Sequence, residues 1–178
     1  MDVRFSRSPH GGSVALIDRP DGLTLRMRSY DRKHSVPHDL AHFVAERAFV
    51  LPQGVWGSIA AGAVFRSMEV VSGRCRYDSR ARSAAVIAGN ARHIGLAEIV
   101  AGVVHRGLNL NRAGAELELR WGWGAVREGS CPLPIPVLHE AVAELRELAE
   151  RWQLLPDDGQ LRMQWAIPVT PTRRRRKR

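Results

Sequence analysis

Apolar and polar residues alternate with a period of two in the opening third of the chain, which predicts short half-buried strands at Val3-Arg4-Phe5, Ser13 to Asp18 and Leu23 to Tyr30. Arg19-Pro20-Asp21-Gly22 joins the last two. Proline presets φ and glycine accepts the left-handed backbone that closes a tight turn, so a hairpin is expected there. The same alternation predicts strands where Leu117, Leu119, Trp121 and Trp123 interleave with Glu118, Arg120 and Gly122, and where Leu161, Met163, Trp165 and Ile167 interleave with Arg162, Gln164 and Ala166. Alternation puts Trp121 and Trp123 on the core face with Leu117 and Leu119, which argues against their stacking on bases.

Between these stretches the period becomes helical. Ser35-Val36-Pro37 opens a helix running from His38 to Val50, stopped by Pro52 and Gly54. The small apolar segment from Gly54 to Phe65 is too short to cross a bilayer and predicts a buried helix paired with the first. A further helical region runs from Ser79 to about His105, with Gly89-Asn90 as the point where it could break. Near the end, Leu138, Ala141, Val142, Leu145, Leu148, Ala149 and Trp152 form one stripe of an amphipathic helix. Two heptads favour packing against the protein's own sheet, with a homodimer seam through 137–152 as the alternative. Together these elements predict an α+β fold: a small antiparallel or mixed sheet of four to five short strands with several helices mainly on one face.

Length and charge refine this picture. At 178 residues the chain suits one domain, expected over 1–168, followed by a disordered basic tail over 169–178. Of the formal +9, Arg173, Arg174, Arg175, Arg176, Lys177 and Arg178 contribute six charges, which leaves the preceding chain mildly basic. Such a tail is an electrostatic handle for nucleic acid or another polyanion, or else a solubilising extension. No apolar run reaches the ~18 residues of a membrane span, and the first residues lack the pattern of a secretory leader, so a cytoplasmic protein is expected. Cys75 and Cys131 stand far apart, which indicates reduced thiols and no cysteine-based zinc site. Phosphate-binding glycine loops and a nucleophile elbow are missing, so nucleotide-dependent chemistry has no support.

One constellation carries plausible chemistry: His38-Asp39-Leu40-Ala41-His42, followed by Glu46. At 100° per residue His38, His42, Glu46 and Asp39 share one arc of the helix, while Leu40, Phe43 and Val44 occupy another. Two imidazoles at i and i+4 can present ring nitrogens to one zinc-like divalent ion, and over these five residues the pattern resembles the His-Glu-x-x-His helix of zinc proteases. Asp39 replaces the general-base glutamate with a side chain one methylene shorter, so its role is restricted to orienting or activating a bound water. Seven histidines in 178 residues produce about 0.28 pairs at this spacing by chance, so the pair needs a third donor to carry meaning. Glu98 is the leading candidate, because it stands alone in Gly95-Leu96-Ala97-Glu98-Ile99-Val100-Ala101 and a carboxylate in such surroundings needs a partner. Glu46 is the local alternative and His93 another; Glu98 could instead pair with Arg92 or Arg106. The sequence therefore supports a metal-binding protein, with hydrolysis or a structural role open, against two alternatives. These are a nucleic-acid accessory protein acting through its arginine tail and a metal-free interaction module.

Overall fold

The computed structural model describes residues 1–9, 11–29, 35–126 and 129–168. Five strands form one antiparallel sheet: β1 (Asp2–Arg7), β2 (Ser13–Asp18), β3 (Thr24–Ser29), β4 (Met68–Ser72) and β5 (Gln160–Gln164), in the order β4-β3-β2-β1-β5. The helices are α1 (His38–Ala48), α2 (Val55–Ala60), α3 (Ser79–Arg106), α4 (Arg112–Gly124) and α5 (Ile135–Gln153). This is the expected α+β architecture. The β2–β3 hairpin closes as its turn chemistry requires, with Gly22 at φ +83° and its N–H donating to the Arg19 carbonyl. The basic tail from Arg173 to Arg178, and with it the expected arginine handle, lies outside the described residues.

Alternation decides which sheet face meets the helices. Val3, Phe5, Ala15, Ile17, Leu25 and Met27 point the same way and are buried. Against them lies α1, whose Phe43 meets Phe5 edge-on at 6.0 Å between ring centroids and Trp165 at 5.5 Å. Trp56 of α2 completes the cluster, at 5.6 Å from Phe5 and 5.2 Å from Phe43. The other side of α1 packs on α3, so this helix is enclosed on both flanks and its polar arc faces α3, with His42 and Glu46 buried and His38 and Asp39 half-buried. The stripe of α5 is buried against the chain's own core, and these are the residues that a seam through 137–152 would need.

Three elements differ from expectation. Residues 117–123 are helical, within α4, because Leu119 forms an i, i+4 pair with Ala115 just before the stretch and both face inward. Asn111 caps this helix by accepting from the Gly114 N–H at 2.8 Å. Leu117 and Trp121 then fall on the opposite face and are exposed, so Trp121 is no core residue. The fifth strand is instead β4, whose four residues after Met68 are all exposed and show no alternation; cross-strand pairing with β3 defines it, including the Arg26–Glu69 ion pair. The second helix is shorter than 54–65 predicts, because Gly62 adopts φ +110° and its N–H bonds back to Ile59, ending α2. Helix α3 is unbroken at Gly89-Asn90, where Asn90 is buried and donates to Ser58 Oγ at 3.0 Å.

Candidate metal centre

The arc that the sequence places on one side of α1 is aimed at α3. His38 meets His105 near the end of α3, His42 meets Glu98 two turns earlier, and Glu46 lies beside Gly54 near Ala97, so the two helices run antiparallel. Buried alanines on both helices, Ala41 and Ala45 on α1 with Ala97 and Ala101 on α3, keep the approach close enough for short polar side chains to touch across it.

His42 is the centre of the cluster, buried between two carboxylates. Its Nδ1 lies 3.2 Å from Glu46 Oε1 and its Nε2 lies 3.1 Å from Glu98 Oε2. Burial alone would lower the pKa of the imidazole, but hydrogen bonds to Glu46 and Glu98 and the charges of both carboxylates outweigh it and raise the pKa to about 9. Hydrogen bonding to His38, then to His42, holds the Glu98 carboxyl far below the usual carboxylate range. His38 Nε2 stands 4.0 Å from the same Glu98 oxygen. His38, His42 and Glu98 can each offer a ligand atom such that all three lie within 4.8 Å of one another, the one such group among the described residues.

The hydrogen-bond network behind these donors assigns the ring protons. A carbonyl only accepts, so His105 Nε2–H must donate to Val36 O at 3.1 Å. With His105 neutral, its Nδ1 is then an acceptor, and the 3.0 Å contact with His38 Nδ1 places a proton on that nitrogen of His38. His42 is fixed in the same sense, its Nδ1–H donating to Glu46. Both rings thus have Nδ1 occupied by a partner inside the protein and Nε2 turned toward Glu98, at 3.1 Å from His42 and 4.0 Å from His38. Such outer partners orient the imidazoles of metal sites and raise their basicity.

Glu46, named from sequence as an alternative ligand, lies behind His42 and is fully buried. Its oxygens accept the N–H groups of Val55 and Trp56, each at 2.9 Å, at the start of α2. Burial pushes its carboxyl pKa up, opposed by His42 and by these two amides. The connection needs two backbone devices. Val50 takes a left-handed φ of 50° as the chain turns out of α1, and Gly54 leaves space that a side chain would deny. A Cβ on Gly54 would overlap the Glu46 carboxylate, so Gly54→Ala should destabilise the protein by about 1–3 kcal/mol through the lost amide bonds. Urea unfolding of the variant checks this; a loss below about 0.5 kcal/mol would show that the carboxylate can move away at little cost.

The remaining residues sort plainly. Asp39 is half-buried in the first turn of α1, its backbone carbonyl accepting from Trp56 Nε1 at 3.1 Å, and it is not one of the three convergent donors. His93 is exposed on α3 and apart from the group. Arg106 pairs with Glu118, not with Glu98. Sequence reasoning missed His105, although Glu98 and His105 are seven residues apart and therefore share one helix face to within about 20°. No protein-family model, curated protein or solved structure matches the chain. Among the described residues no helix is long and apolar enough to cross a membrane.

Proposed function

We propose that the protein binds one divalent transition metal ion of zinc type through Nε2 of His38, Nε2 of His42 and the carboxylate of Glu98. The observation that carries this reading is the pair of outer hydrogen bonds, His38 to His105 and His42 to Glu46, which turn the Nε2 of both rings toward one carboxylate. A proton on His42 satisfies the metal-free arrangement; a divalent ion would satisfy all three donors at once.

The burial gradient favours an open site over a closed structural one. His42 is 5% exposed, His38 35% and Glu98 56%, so one side of the cluster faces solvent and three protein donors leave a coordination position for water or another small ligand. Two imidazoles and one carboxylate suit Zn²⁺ and also Fe²⁺. When bound, zinc supplies Lewis acidity and lowers the pKa of coordinated water, which is the basis for a hydrolytic role. Asp39 carries no role in this reading.

The test is metal binding by the full chain, measured by equilibrium dialysis with Zn²⁺ and by the visible spectrum with Co²⁺. One ion per chain is expected, with affinity reduced at least about hundredfold in His38→Ala and Glu98→Gln, whose partly exposed side chains can be replaced without opening the core. Glu140→Gln, at an exposed acid on α5, should bind as the wild type. Sub-stoichiometric metal in the wild type, or unchanged affinity in both variants, would remove the proposal.

A further inference from the structure

A second site lies between β4, the end of α2 and the first turns of α3. Here the surface forms a cleft of about 1450 Å³ with a floor of half-buried apolar side chains, among them Val64, Phe65, Val86 and Ile87. Six arginines line it, and two of them are committed. Arg19 is buried, pairs with Asp21 and donates to the Ala63 carbonyl at 3.1 Å, and Arg82 lies 4.0 Å from Asp78. Those are the two aspartates of the lining, so the acidic charge of the cleft is already matched. Arg66, Arg74, Arg76 and Arg80 remain, all exposed, with no carboxylate partner among the described residues. Four uncompensated guanidinium groups around one concavity repel one another, and that arrangement is relieved by a polyanion.

The geometry points to single-stranded nucleic acid as the occupant. Guanidinium presents a planar fork that matches phosphate bidentately and also stacks on bases, and no lysine lines the cleft. The volume exceeds that of ordinary small-ligand pockets, roughly 300–1,000 Å³, and leaves room for more than one nucleotide. A duplex turns its phosphates outward and hides its bases, so the apolar floor would stay wet. A single strand can lay bases on that floor while its phosphates meet the arginine rim. Tyr77, between the lining residues Arg76 and Asp78, is fully exposed and packs on no core residue, so its ring is available to stack on a base. These residues are separate from the metal centre, and the inference does not depend on it.

The probe is a fluorescein-labelled 20-nucleotide oligo(dT), with anisotropy measured on the full chain between 50 and 300 mM salt. Replacing Arg66, Arg74, Arg76 and Arg80 together by Gln should flatten the slope of log affinity against log salt by about 3, since each phosphate contact on a single strand contributes about 0.7. Tyr77→Ala should weaken the oligonucleotide about tenfold while leaving inorganic polyphosphate unaffected. Both effects should persist in a full-length variant whose Arg173 to Arg176, Lys177 and Arg178 are replaced by Ser, which separates the cleft from the tail. All four arginines are exposed, so the variants should melt like the wild type. An unchanged salt slope in the quadruple variant overturns the assignment. So does polyphosphate or poly-glutamate binding as tightly as the oligonucleotide at equal charge.

Discussion

Glu46→Ala should lower the unfolding free energy of the protein by about 3–5 kcal/mol, the largest stability loss expected from any single polar substitution in the chain. The reason is what the side chain leaves behind. Two backbone N–H groups, those of Val55 and Trp56, lose their acceptor, and His42 Nδ1–H loses its partner in a site from which water is excluded. Each orphaned donor costs about 1–3 kcal/mol, and the vacated volume between α1 and α2 adds a cavity term. Glu46→Gln should cost less, about 1–3 kcal/mol, because its amide oxygen replaces one acceptor while its NH₂ group faces a donor. Urea unfolding distinguishes them, with Glu144→Ala as reference, since that partly exposed partner of Arg47 should lose about 1 kcal/mol or less. A loss within about 1 kcal/mol for Glu46→Ala would mean that α2 has another way to satisfy its first amides. Metal affinity adds a second readout: Glu46→Gln should weaken binding about 10–100-fold while the three donors remain in place.

This substitution also marks where sequence reasoning reaches its limit. Periodicity placed His38, His42 and Glu46 on one arc of α1, and that arc is the one turned toward α3. The cost of isolating a carboxylate in an apolar run pointed to Glu98, and α3 presents that group to His42. What periodicity could not supply is depth along the arc. Glu46 is one turn beyond His42, and whether it faces a shared ion or a helix start depends on α2, which returns through Val50 and Gly54 by backbone geometry with no sequence period. His105 was illegible for a related reason, since its partners His38 and Val36 are distant in sequence.

The same limit explains the strands. The β2–β3 hairpin is encoded locally by Arg19-Pro20-Asp21-Gly22 and is present as expected. Residues 117–123 satisfy a period of two, yet Leu119 also pairs inward at i, i+4 with Ala115, and the choice falls to tertiary packing of Leu119 and to the Asn111 cap. The arginine cleft was hidden in turn, because Arg66, Arg74, Arg76 and Arg80 are spread over fifteen residues and become one patch only when α3 folds back beside β4.

Metal affinity should depend on pH over a range where ordinary histidine sites have levelled off. With its pKa raised to about 9, His42 carries a proton on Nε2 at neutral pH, and an ion must displace that proton to bind. Below pH 9 each unit should therefore weaken the apparent affinity about tenfold from His42 alone, or about hundredfold between pH 8 and pH 6. Calorimetry at pH 7.5 in buffers of different ionisation enthalpy should show about one proton released per ion. Thermal stability should separate the two forms by its slope against pH. His42 is the case of a folded-state pKa above the unfolded value of 6.5, so its contribution to the metal-free protein is complete below pH 6.5 and lost as pH rises toward 9. Metal-free protein should accordingly lose stability across that interval, while protein at saturating metal should hold it nearly level, because tighter binding of the ion as the competing proton leaves offsets that loss. Glu46→Gln removes one of the two carboxylates that hold the proton and should move the onset of weakening to lower pH. An affinity flat between pH 7 and 8.5, with no proton released, would show that the ion does not take the place of the His42 proton.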